Sequence, residues 1–232
     1  MDMFETFYNS PIQHPILLWV AATLGALYGI RRPGLQPSMR QFLIFLTVLS
    51  LCDAWLSSRH IYGYGTLTGA AKSAVPLFFV LAGDFRYLIL VTTAQRDGSI
   101  LWTSRSVGVA LALTLIVPLS SQLIMGLLPE AHQTSRVLFL VYEIEFWLLT
   151  AALMLWHPQV RANPWLRQVS AFVLLYYGLW ATADAIILAT GSDLGFAVRV
   201  VPNILYYGGL IAAIGLAASS ASRQSLASRG SA

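Results

Sequence analysis

Long apolar runs, separated by short clusters of arginine, proline and glycine, divide this chain into seven segments. They cover roughly residues 13–31, 40–58, 72–95, 103–127, 136–156, 165–190 and 196–219. Each is close to the ~20 residues an α-helix needs to cross a bilayer. The pattern therefore predicts seven transmembrane helices in a single domain over residues 1–219. Between the second and third runs, Arg59 to Ala71 is rich in glycine and tyrosine and reads as a loop or interfacial turn. The first ten residues hold two acids and no basic region, unlike a secretory signal peptide. Residues 220–232 are polar and read as a disordered tail.

Composition agrees with the pattern. Apolar types make up 57% of the 232 residues and charged types 10%, against about 25% charged in soluble domains. A mean hydropathy of +0.68 points the same way. One cysteine, Cys52, excludes a disulfide framework, and four scattered histidines (His14, His60, His132, His157) make no ligand spacing, so no metal or cofactor is expected. The net charge of +4 reflects orientation and not nucleic-acid binding. Arg31, Arg32, Arg40, Arg96, Arg105, Arg161, Arg167, Arg223 and Arg229 fall in alternate loops and the tail. Positive loops stay cytoplasmic, which predicts an outside N-terminus and a cytoplasmic C-terminus, in the inner membrane of a bacterium.

An internal repeat is visible. Residues 31–41 and 157–168 each join two apolar runs, and both end Pro-x-x-Arg-Gln, at Pro37 to Gln41 and Pro164 to Gln168. An acid follows in the next helix, Asp53 and Asp184; then come Val75-Pro76 and Val201-Pro202, with Gly83 and Gly209 seven residues after their prolines. The same landmarks in the same order predict two parallel three-helix repeats joined by helix 4. Pro33 with Pro158, and Pro76 with Pro202, are candidate hinges, because proline removes a backbone hydrogen bond and lets a helix bend.

Ionisable groups inside a span are costly and mark candidate sites. They are Asp53, Asp84, Arg86, Glu143, Glu145 and Asp184, with Arg59, Lys72 and Arg199 nearer the outer surface. Glu143 and Glu145 are about 200° apart around their helix and face different ways, as do Asp84 and Arg86. Asp53, Glu143 and Asp184 are candidates for proton coupling, Asp184 first among them. Tyr177, Trp180 and Asp184 share one helical face, suited to a small polar or cationic ligand. Asn203 and, one turn on, Tyr207 offer an amide and a hydroxyl inside the last span.

Pro158-Gln159, followed by Arg161 and Asn163, resembles the PQ-loop motif of cystinosin-like transporters. Val201-Pro202-Asn203 is similar to the Pro-Asn that opens the last helix of the SWEET sugar transporters, and Trp180 to the tryptophan of the preceding helix. This resemblance implies a 3+1+3 bundle, a substrate-facing Asn203, and passive or proton-coupled movement of a small solute. In the first repeat, Gly34 replaces the glutamine and Leu77 the partner asparagine. A second resemblance is to the membrane lysoplasmalogenases, carried by Leu51-Cys52-Asp53, Gly178 to Asp184, and Tyr206-Tyr207. It implies hydrolysis of lysolipid vinyl ethers with Asp53 and Asp184 as paired acid–base carboxylates. Asp84-Phe85-Arg86-Tyr87 differs from the Asp-Arg-Tyr of animal receptors by one inserted residue. The lone lysine, Lys72, lies outside the last helix, which excludes a retinal Schiff base there. The expected function is transport of a small polar solute, with a lipid hydrolase or a retinal-free sensor that needs a partner as alternatives. The expected partners are that solute or a lipid and the bilayer itself.

Overall fold

The computed structural model describes residues 3–58, 60, 67–69 and 71–230, apart from the side chains at 72, 73, 76, 229 and 230. The loop residue Arg59 and the side chains of Lys72 and Pro76 therefore lie outside the described residues.

The chain is all-α. A short helix α1 (Met3–Tyr8) leads into a widened turn (Ile12–Leu17) that continues as α2 (Leu18–Ile30). Then come α3 (Pro37–Leu56), α4 (Ala71–Thr93), α5 (Ser104–Leu127) and α6 (Ser135–Trp156). The short α7 (Pro158–Ala162) precedes α8 (Pro164–Thr190) and α9 (Leu194–Ile204), which passes through a π-helical turn (Leu205–Gly209) into α10 (Leu210–Gly230). Among the described residues six helices are long and apolar enough to cross a membrane, so this is a multi-pass membrane protein. The helix α4 is 23 residues long but carries Asp84 and Arg86 in its second half.

Local chemistry fixes the helix ends. Thr103 and Thr134 cap α5 and α6 by accepting from the amides of Ser106 (3.0 Å) and Val137 (3.3 Å). Proline opens α3 and α8 in their first turns, where its missing N–H is no loss. Gly191, at φ +64°, ends α8 in the left-handed conformation. Leu111, Leu115, Leu119, Leu123 and Leu127 lie exposed along one face of α5, the face such a helix turns to lipid.

Successive long helices pack side by side in chain order, and the last closes against the first. Glycine makes that closure. A Cβ on Gly25 would overlap the Gly208 carbonyl oxygen; one on Gly29 would lie 2.7 Å from the Ile211 oxygen, and one on Gly215 2.5 Å from Gly29 Cα. Close backbone approach through small residues is how helices associate in lipid, where apolar surface gives no net drive.

The π turn follows Pro202, which has no N–H for the helical ladder. Beyond it α10 runs to Gly230, past residue 219, so the stretch expected to be disordered is helical as far as 230. Small residues explain this: Ala217, Ala218 and Ala221 are buried, and Ser222 Oγ donates to the Asp97 carbonyl at 2.7 Å. The half of the bundle around α10 and the arginine-rich loops is filled by Phe42, Leu43, Leu46, Leu88, Val173 and Ile211, all at most 1% exposed.

Candidate functional site

The other half of the bundle, toward the N-terminal segment, is hollow. A cavity of about 840 Å³ lies among the C-terminal end of α3, the first half of α6, the first half and middle of α4, and the second halves of α5, α8 and α9. Asp53, Glu143, Tyr177, Trp180, Asn203 and Tyr207, drawn from five separate helical segments, all line it. Asp184 does not.

Asp184 is completely buried behind the wall, in an ion-pair network. It accepts from Arg136 Nη1 at 2.8 Å and pairs with Arg199, whose Nη1 also lies 3.6 Å from Glu143 Oε1. Arg199 Nε donates to the Tyr8 hydroxyl at 3.1 Å, tying the N-terminal segment to the site. Two guanidiniums thus hold the Asp184 carboxylate, and Asp184 in turn sets the position of Arg199 at the cavity edge. Arg136, in the first turn of α6, is a site residue that the sequence did not single out; nothing local marks its reach to a carboxylate 48 positions later.

Asp53 takes a 3.3 Å bond from Ser57 Oγ and another from the Tyr207 hydroxyl. Asp184 is instead taken up by Arg136 and Arg199, away from the cavity that Asp53 lines. Ser57 gives its proton to the Asp53 main-chain carbonyl and lies 3.2 Å from His14 Nε2. Asp84 accepts from both the Tyr142 and Tyr177 hydroxyls, one on each carboxylate oxygen. Glu145 turns away from the cavity and accepts from Ser121 on α5.

Arg86, 1% exposed, does not line the cavity but touches residues that do. Its Nη1 donates to Ser50 Oγ at 2.5 Å and its guanidinium lies 4.1 Å from the Tyr206 ring centre. Tyr142 is therefore a part of the site that nothing in the sequence singled out, and Tyr206 was visible only through a resemblance, whereas Asp84 and Arg86 stood among the candidates. The visible signal was two opposite charges inside one span, Asp84 and Arg86. The tyrosines gave none, because hydroxyls that satisfy a buried carboxylate look like interface aromatics in a sequence.

The remaining wall is aromatic. Trp180 Nε1 donates to Asn203 Oδ1 at 2.9 Å, fastening α8 to α9. Ring centroids of Tyr177 and Trp180 lie 5.4 Å apart, Trp180 and Tyr206 5.1 Å, and Tyr206 and Tyr207 5.1 Å, mostly edge to face. Leu77, Val80, Leu115, Leu119 and Phe139 line the cavity yet stay exposed, so among the described residues it opens sideways between α4, α5 and α6. Tyr8 of α1 stands at its end, where α1 is held by Asp193 accepting from the amides of Phe4 (2.7 Å) and Glu5 (2.6 Å).

The four prolines expected as hinges differ in setting. Pro33 lies in the loop between α2 and α3, and Pro158 opens the short α7, so neither interrupts a membrane-crossing helix. Pro202 does interrupt one, next to the cavity residue Asn203. Gln159 and Asn163, the motif residues after Pro158, both donate to the Ala94 carbonyl, and Trp165 Nε1 donates to Gln95 O at 2.9 Å. Their work here is to cap the end of α4. Among the described residues no group of three His, Cys, Asp or Glu side chains could hold a metal ion. No protein-family model, curated protein or solved structure matches the chain.

Proposed function

We propose that this chain is a seven-helix transporter for a small solute, with α4 as a further crossing helix. The observation that carries the reading is a cavity with aromatic and apolar walls and a few charged and polar groups in one half of the bundle, facing a packed apolar plug in the other. A site hollow in one half and closed in the other matches one state of an alternating-access cycle. In this reading the N-terminus lies outside and the arginine-rich loops are cytoplasmic, in a bacterial inner membrane. The helices before and after α5 are two parallel repeats, related to the PQ-loop and SWEET-like transporters. Trp180, Tyr177, Tyr207 and Asn203 bind the solute. Glu143 and Asp53, which face the cavity, are placed to carry a proton with it, while Asp184 orients Arg199. Pro202 and the π turn after it give the last helix a place to bend.

The test is counterflow into proteoliposomes preloaded in turn with sugars, amino acids and amines. At least one solute should accumulate with the wild type and fail to with Trp180→Ala. The sideways opening favours a second reading, a lipid enzyme of the lysoplasmalogenase type. Aldehyde release from a lysoplasmalogen, with no solute moved, would establish that reading and overturn transport.

A further inference from the structure

The question the cavity poses is which charge it is built to receive. The carboxylates of Asp53, Asp84 and Glu143 and the guanidinium of Arg199 line it, and Asp184, Arg86 and Arg136 stand behind the wall, so that carboxylates exceed guanidiniums by one. Each guanidinium already has partners, and Arg86, whose Nη2 has no acceptor, does not line the cavity. Arg136 is taken by Asp184; Arg199 by Asp184, Glu143 and Tyr8; Arg86 by Ser50 and the Tyr206 ring. An anion entering the cavity would have to displace an internal carboxylate or an aromatic face. Of the carboxylates, Asp84 has a tyrosine hydroxyl on each oxygen. Glu143 is different. It is 5% exposed and lines the cavity, and its Oε2 is buried with no hydrogen-bond donor. Asp184 and Arg199 adjoin it on the protein side, yet Oε2 itself is left an acceptor without a donor. Around it, Tyr177, Trp180 and Tyr207 present aromatic surface, which attracts cations, and the leucine-lined opening suits an apolar body. At about 840 Å³ the cavity is within the ~300–1,000 Å³ range of small-molecule sites.

We infer that the ligand is a small organic cation, an ammonium on an aromatic or alkyl body, donating to Glu143 with its apolar part against Trp180 and the opening between α4, α5 and α6. This rests on the cavity being a solute site, as proposed above, but is tested by binding, without flux.

The experiment uses the full chain in lipid nanodiscs. Phenethylamine, phenethyl alcohol and phenylpropionate, alike in shape and differing in charge, are titrated while thermal stability and tryptophan fluorescence are read. Phenethylamine should raise the unfolding midpoint, with the alcohol and the acid weaker by at least about tenfold, the scale of one charged hydrogen bond. Glu143→Gln should weaken the amine by about tenfold or more and leave the alcohol unchanged. Should that variant not fold, Trp180→Leu should weaken the amine as well. The inference is overturned if the alcohol binds as tightly as the amine, if the acid binds more tightly, if none of the three binds, or if Glu143→Gln binds the amine like wild type. Amine binding without any counterflow would keep the ligand class and remove transport. Counterflow of a sugar without amine binding would do the reverse.

Discussion

Gly83 sits on α4 where Tyr206 of the π turn crosses it, and a Cβ built there would overlap the tyrosine hydroxyl. The next atom of the ring, Cζ, would be 3.0 Å away, a few tenths of an ångström inside ordinary contact. Gly83→Ala must therefore push Tyr206, a cavity-wall residue, off its place over the buried Arg86. Overpacking of this kind costs about 1–3 kcal/mol. For a chain of this length that is roughly a 2–12 °C loss in thermal midpoint, by the scale for soluble domains. Tyr206→Phe alone removes the hydroxyl and its bond to Arg86, at about 1 kcal/mol. Combined, the two changes should cost less than their sum, because the phenylalanine ring leaves the methyl added at position 83 only a slight misfit. A double-mutant cycle in detergent or nanodiscs, followed by tryptophan fluorescence, should give a favourable coupling of about 1 kcal/mol or more. Additive costs, or a neutral Gly83→Ala, would refute the crossing of α4 and the π turn at this point.

Other consequences are as direct. Arg199→Gln leaves Asp184 and Glu143 short of a counter-charge and should destabilise by about 3–5 kcal/mol, as breaking a buried pair does; Asp184→Asn in that background should recover part of the loss in thermal unfolding. Gly25→Val forces apart two backbones that cannot rotate away, and should destabilise by at least about 1–3 kcal/mol, whereas Gly108→Ala, with open space around it, should be neutral or better. Removal of residues 223–232 spares the Ser222 bond to the 94–100 loop, so it should leave the midpoint nearly unchanged, whereas ending the chain at 216 should lower it clearly.

The membrane-crossing helices were legible because lipid demands long apolar runs, a signal that needs no knowledge of neighbours. The cavity was legible in part for the same reason: a polar group in such a run must have something to meet, and Asp53, Glu143 and Asn203 do meet there. What they meet was not legible. Tyr177, Trp180 and Asp184 share a helical face, yet Asp184 lies a turn closer to Arg136 and Arg199 and is drawn into their network instead of the cavity. That outcome depends on which helices adjoin α8, and spacing along α8 cannot carry it. Gly25 and Gly29 stand four apart, but their meaning as a seam appears only once α2 meets the π turn and α10. The tail misled for a related reason. Its alanines and serines look unable to bury much surface, but against a loop turned by Gly98 at φ +76° small residues are what fit.

Alternating exposure of the cavity is the central claim, and side-specific cysteine labelling tests it most directly. Asn203→Cys, in a background where the lone native Cys52 is replaced by alanine, puts a thiol at the cavity wall. Membrane-impermeant maleimide is then applied from each face of oriented proteoliposomes. The account predicts fast labelling from the N-terminal face and slower labelling from the arginine-rich face, the second accelerated by a transported solute. Labelling from the N-terminal face alone, whatever solute is added, would contradict it and leave a site that binds without carrying.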